Sequence, residues 1–120
     1  LGSRTSAVMS NDDAVREAIL TAARSAGEQI WPMPLPDELR ASMDSAVADI
    51  ANMGEKYGGM LVAGMFLKEF VAEGQRWAHL DIAGPAWNES TPHGYTAKGG
   101  TGHGVRTLVR LAEELARGAL

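Results

Sequence analysis

Three histidines, two adjacent aspartates and a glycine-rich run are the features of this 120-residue chain whose residue types could do chemistry. A zinc site built on one helix needs two imidazoles at i and i+4, and no two of His79, His93 and His103 have that spacing. His79 falls in an apolar stretch that reads as a strand, where a hydrogen-bonded structural histidine is the expectation. His93 and His103 fall in a long loop and are expected to be solvated. Asp12 and Asp13 stand where a helix begins, and negative charge there complements the free amides of the first turn. Gly99-Gly100-Thr101-Gly102-His103-Gly104 ahead of a helix could cradle an anion. A Walker loop needs Gly-Lys-Ser/Thr where this chain has Gly104-Val105-Arg106, and a dinucleotide fingerprint needs glycine where Thr107 stands. The run is expected to be a turn that lets a loop enter a helix. With no cysteine there is no thiolate nucleophile, disulfide or zinc ribbon. None of these features makes a convincing catalyst or metal-ligand set, and a site role stays open only for His93 and His103.

The elements that would position these residues follow from periodicity. Thr5 to Met9 suits a buried strand. A helix follows from Asp12-Asp13, with Val15, Ala18, Ile19, Ala22, Ala23 and Ala26 on one face and Gly27 as a left-handed cap. Trp31-Pro32-Met33-Pro34-Leu35-Pro36 must be an extended, edge-like connector, because alternate prolines remove amide donors. Asp37 is expected to cap a helix running through Leu39, Met43 and Val47 to a turn at Asn52-Met53-Gly54. Met60 to Val71 reads as a helix apolar on nearly every face, so it must be covered on several sides. Trp77 to Ala83 suits a central strand. The segment 84–104 is a long loop, a kind that usually carries function. Val105, Leu108, Val109, Ala112, Leu115 and Ala116 write a last amphipathic helix. The order strand, helix, helix, helix, strand, helix implies an α/β fold, the C-terminal portion of a mixed-sheet domain with helices packed on the sheet.

Composition narrows the classes. A chain 45% hydrophobic supports one core, and a net charge of −4 repels phosphate backbones and anionic membrane surfaces. Neither nucleic acid nor membrane is an expected partner, and the cysteine-free composition fits the cytoplasm. Leu1-Gly2-Ser3-Arg4 reads as mid-protein sequence, so residues 1–120 are expected to be a single partial domain.

One string is specific. Trp77-Ala78-His79-Leu80-Asp81-Ile82-Ala83-Gly84-Pro85-Ala86 closely resembles the WAHLDIAG strand and following turn of the leucyl (cytosol) aminopeptidases. Trp31 to Leu35 is similar to that family's W-x-x-P-L segment, and Ala48-Asp49-Ile50-Ala51-Asn52-Met53-Gly54 to its A-D-x-x-N-I-G stretch. Gly59 to Phe70 resembles its glycine-then-apolar helix, and Lys98-Gly99-Gly100-Thr101-Gly102 its K-G-A-T-G turn. These motifs stand in order over nearly the whole chain.

The resemblance implies a metallo-aminopeptidase, a cytosolic homohexamer that removes residues such as leucine from the N-termini of peptides. Two divalent ions, zinc or manganese, would activate water and polarise the scissile carbonyl. By the family pattern their ligands, including an N-T-D-A-E-G-R motif, lie upstream of Leu1, so this chain alone is expected to bind neither ion and to be inactive. What the resemblance leaves to it is substrate-side wall and oligomer surface. Ala83 and Ala86, with Gly84 between them, fall where the family lines the pocket for the substrate's N-terminal side chain, and Met53 falls where it lines the next subsite. Packing alternatives stand beside these roles: a tight strand-to-turn junction at Ala83-Gly84, and a core plug at Met53. The family continues its turn with Arg-Pro where this chain has His103-Gly104, which leaves any loop function at that point open. The alternative reading is a truncated, non-catalytic assembly protein that keeps the aminopeptidase surface.

Overall fold

The computed structural model describes all 120 residues. Strand β1 (Ser6–Ser10) lies at the centre of a three-stranded sheet, with β2 (Ile30–Pro32) parallel on one side and β3 (Ala78–Asp81) antiparallel on the other. Pleating sends Val8 to one face and Ala7 and Met9 to the other, and all three are fully buried. On the Val8 side helix α1 (Asp13–Ala26) supplies Ile19, Leu20 and Ala23, which pack with Ile30 and with the partly buried Leu111 of helix α2 (Val105–Ala116). On the Met9 side a 3₁₀ helix (Asp37–Met43) and helix α3 (Gly59–Lys68) gather Leu39, Met43, Val62 and Met65 into a second cluster. Gly64 is where α3 meets the sheet. A Cβ there would lie 2.8 Å from Met9 Sδ and 3.1 Å from Leu35 Cδ2. The α/β class and mixed sheet agree with the sequence reading.

Helix α1 begins and ends as its residues require. The Asp12 carboxylate accepts the Val15 amide at 3.0 Å, and Gly27 closes the helix at φ 74°. Two expectations need correcting. The helix expected from Asp37 to about Asn52 is a 3₁₀ helix that stops at Met43. Its start has no side-chain cap, because Pro36 occupies the cap position and the Asp37 carboxylate turns to Lys68 Nζ at 3.4 Å. Beyond Met43, Ser45 Oγ accepts the amides of Val47 and Ala48, and this local arrangement outcompetes a further helical turn. Second, the strand at Trp77 to Ala83 is short and pairs on one side only, with β1. The proline-rich connector is extended and edge-like as expected, and its start is the edge strand β2: Met33 N donates to Val8 O at 2.9 Å, just past the register Val8↔Pro32.

Helix α2 has the expected bounds and an unexpected orientation. Its apolar stripe faces outward, with Val105, Leu108 and Val109 all more than half exposed, while Thr107 is fully buried and Arg110 and Glu114 pair at 2.9 Å on the flank. The loop 84–104 carries a small hairpin, β4 (Trp87–Asn88) with β5 (Gly99–Gly100), in which the Trp87 ring lies over the two glycines.

Candidate substrate-side site

The end of β3, the turn that follows it and the far end of loop 84–104 enclose two adjoining clefts of about 730 and 560 Å³. Ser3, Arg4, Asn88 and His93 border both. Ala83 and Gly84 line the smaller one. The turn is made by Ala86 N donating to Ile82 O at 3.0 Å, with Ala83 N held by Asp81 Oδ1 at 3.3 Å. Gly84 has a steric requirement: a Cβ there would run into the Gly2 carbonyl. Ala86 is half-buried in the same turn and borders neither cleft. Met53 stands apart, on the loop between the 3₁₀ helix and α3, 77% exposed. It is not a core plug.

Thr101 ties the two ends of the loop together. Its hydroxyl donates to Pro85 O at 2.6 Å and its amide to Ala86 O at 3.0 Å. The same hydroxyl oxygen accepts His103 N–H at 3.2 Å. His103 is not solvated as expected: its ring is half-buried, with Nε2 2.9 Å from Ser6 Oγ on β1. Burial pushes this imidazole below the usual histidine range; Glu28 opposes that shift and Arg106 reinforces it. His79 is a structural residue of β3, stacked on Trp77.

The end of the glycine run and the first turn of the helix after it do present amides to an anion, and the anion is the protein's own. Glu28, directly after the α1 cap, is 7% exposed and accepts three hydrogen bonds at the start of α2. Gly104 N and Thr107 N each donate at 3.0 Å, and Thr107 Oγ1 donates at 2.5 Å. A phosphate has no place there. Burial by itself would raise this carboxyl, but the Thr107 and Gly104 donors and the neighbouring His103 outweigh it and hold the group below the usual carboxylate value. Arg106 completes the surroundings, Nε 3.7 Å from Glu28 Oε1 and its guanidinium 4.1 Å from the Tyr95 ring centroid. Nothing in the sequence marked Glu28 or Thr107. An acid after a helix cap usually faces water, and a threonine within an apolar helix usually faces outward; here both turn inward to each other.

No group of three or more His, Asp and Glu side chains converges as a metal ion requires. No helix is long and apolar enough to cross a membrane.

Residues 1–109 match the family model described as the cytosol aminopeptidase family, catalytic domain. A probable cytosol aminopeptidase of Streptomyces coelicolor is 67% identical over 120 residues, which are 100% of this chain and 23% of that protein. One from Rhodococcus erythropolis is 54% identical over 117 residues, 97% of this chain and 23% of its own length. Among solved structures, the bottromycin maturation enzyme BotP superposes with TM-score 0.95 at 42% identity, covering 98% of this chain and 26% of its own. A mutant of tomato leucine aminopeptidase gives TM-score 0.86 at 37% identity, over 95% of this chain and 21% of its own. The chain thus spans about a quarter of the length of the relatives it matches.

Proposed function

The chain belongs to the cytosol aminopeptidase family, and on that premise we propose that it forms the C-terminal part of an enzyme that releases N-terminal residues such as leucine from peptides. The observation that carries this reading is 67% identity across the whole chain to a probable cytosol aminopeptidase, with the string Trp77 to Ala86 folded as a strand end and turn beside a cleft. Ligands of α/β sheets collect beyond strand ends, and small side chains there leave room for a leucine-sized group. In this reading Ala83 and Ala86, with Gly84 between them, wall the pocket for the N-terminal side chain, and Met53 lies toward the next subsite. Gly84 serves by letting the turn approach the backbone at Gly2.

A structure of the related BotP is a complex with Mn, which supports a divalent metal in the complete enzyme; that there are two, manganese or zinc, rests on the family resemblance. The residues of this chain do not fit such a pair, since no three His, Asp or Glu side chains converge on a point. No step of hydrolysis is therefore derived from them. Their part is to wall and hold the substrate side. The outward apolar stripe of α2 is surface that a polypeptide as long as the relatives, or a neighbouring subunit of a homohexamer, would cover. The cytoplasm is the setting in which we place it. Identity over the full chain favours this enzyme reading over a non-catalytic assembly protein.

The test is an assay of the complete protein on leucine p-nitroanilide. We expect turnover that a chelator abolishes and Mn²⁺ or Zn²⁺ restores. A metal-loaded complete protein that leaves the substrate intact would overturn the proposal.

A further inference from the structure

We propose that Glu28 is a positioning residue, whose buried carboxylate locks the loop 84–104 to the end of α1 and thereby sets the substrate-side turn Ala83–Ala86. The proposal deepens the peptidase reading and rests on it for the nature of the substrate. The connection is a short series of bonds. Glu28 takes the amides of Gly104 and Thr107 and the Thr107 hydroxyl, which fixes where α2 begins. Three residues before Gly104, Thr101 holds the carbonyls of Pro85 and Ala86. His103, between them, is fastened through its own amide to Thr101 and through its ring to Ser6. The far end of the loop is therefore pinned to two buried elements, and that end in turn grips the turn beyond β3.

The chemistry requires a carboxylate. Three donors converge on its two oxygens where Glu28 is only 7% exposed, and only an acceptor without protons of its own satisfies them all. A glutamine amide would meet those donors with its own N–H groups. Without the clamp, a long loop rich in glycine would regain the freedom it loses on folding. The turn Ala83–Ala86, which brings Ala83 and Gly84 to the cleft, would then occupy a range of positions, and binding of a side chain that must fill the pocket would suffer most.

The experiment compares the complete protein with Glu28→Gln, Thr107→Val and Thr107→Ser, using hydrogen exchange by mass spectrometry together with kinetics on leucine and alanine p-nitroanilides. In Glu28→Gln and Thr107→Val we expect faster exchange across 84–104 with protection of α1 retained. KM for the leucine substrate should rise about ten- to a hundredfold, more than for alanine, with a smaller change in kcat. Thr107→Ser restores the hydroxyl donor and should return both readouts toward the parent. Thr107→Val is isosteric, so the test stands even if Glu28→Gln fails to fold. Unchanged exchange in 84–104, or faster exchange with the leucine and alanine constants unmoved, overturns the positioning role. If the parent protein cleaves neither substrate, the peptidase reading falls separately, and the exchange measurement still decides whether the clamp holds the loop.

Discussion

The two long loops that carry the candidate substrate residues are held in opposite ways. Loop 84–104 is closed on itself by Thr101 to Pro85 and Ala86, and that closed end is tied to residues far away in sequence, His103 to Ser6 and Gly104 to Glu28. The segment 44–58 is tied mostly to itself, through Ser45 to Val47 and Ala48 and through Ala51 N to Met43 O at 2.8 Å. Its apolar side chains show the result, with Val47 97%, Met53 77% and Tyr57 76% exposed. Gly54 is its one tight seat, where a Cβ would lie 2.8 Å from Val62 Cγ1. A loop stapled to buried elements can hold a pocket wall in place. One held by local turns depends on whatever else packs over it.

The largest effect should come from removing the staple. Glu28→Ala leaves three buried donors without an acceptor, and at roughly 1 to 3 kcal/mol for a buried polar group left unsatisfied the net loss should be about 3 kcal/mol. Chemical denaturation of the complete protein measures it. A loss below about 0.5 kcal/mol, the range of ordinary surface changes, would erase the contrast between the loops.

Next comes the wall itself. If Ala86 faces substrate, Ala86→Phe should shift the ratio of kcat/KM between leucine and alanine substrates at least tenfold, because roughly 10 to 200-fold is what a methylene's worth of pocket controls. If Ala86 merely packs the turn, both substrates should fall together with a lower melting temperature, since overpacking costs about 1 to 3 kcal/mol. Its half-buried position, bordering neither cleft, makes this the sharper test of the turn.

A smaller effect follows from pH. His103 titrates below its usual 6.5 in the folded chain, so as pH falls through that value the unfolded state takes up the proton first and stability declines. Glu28 is likewise held below its usual 4.5, so its contribution is complete above that value and is lost on further acidification. Both act in the same direction. The melting temperature should fall from pH 7 to pH 5 in the parent and fall less in His103→Asn, which keeps a neutral polar group beside Ser6, Glu28 and Arg106. Equal slopes would show that His103 titrates in the folded chain as it does in the unfolded one.

Much of this was legible in the residues. A short apolar run placed β1, the stripe and caps placed α1, and the string Trp77 to Ala86 placed the turn. What could not be read was tertiary choice. Ser45 ends a helix by taking two amides that periodicity assigned to the helix. The stripe of α2 predicts amphipathicity but not which face meets α1, and the face that does carries Thr107 because Glu28 lies beneath it. Glu28 itself follows Gly27 without any pattern, and its burial depends on a residue on the far side of the chain.

The smallest effect is expected at Met53, where the two loops can be compared most directly. With 77% of its surface exposed, Met53 contributes little burial to this fold, so Met53→Ala should change stability by less than about 0.5 kcal/mol. A core plug would cost about 2 to 5 kcal/mol for the same substitution. If the resemblance places Met53 beside the residue after the scissile bond, the variant should instead alter KM among dipeptides that share an N-terminal leucine and differ at the second position. The effect should be severalfold and greatest for large apolar second residues, since an exposed thioether offers a flexible surface rather than a shaped pocket. Leucine p-nitroanilide, which has no second residue, should be cleaved as by the parent. A uniform change across the dipeptides, or an equal change with the anilide, would separate Met53 from that subsite and leave loop 84–104 as the only substrate wall in this chain.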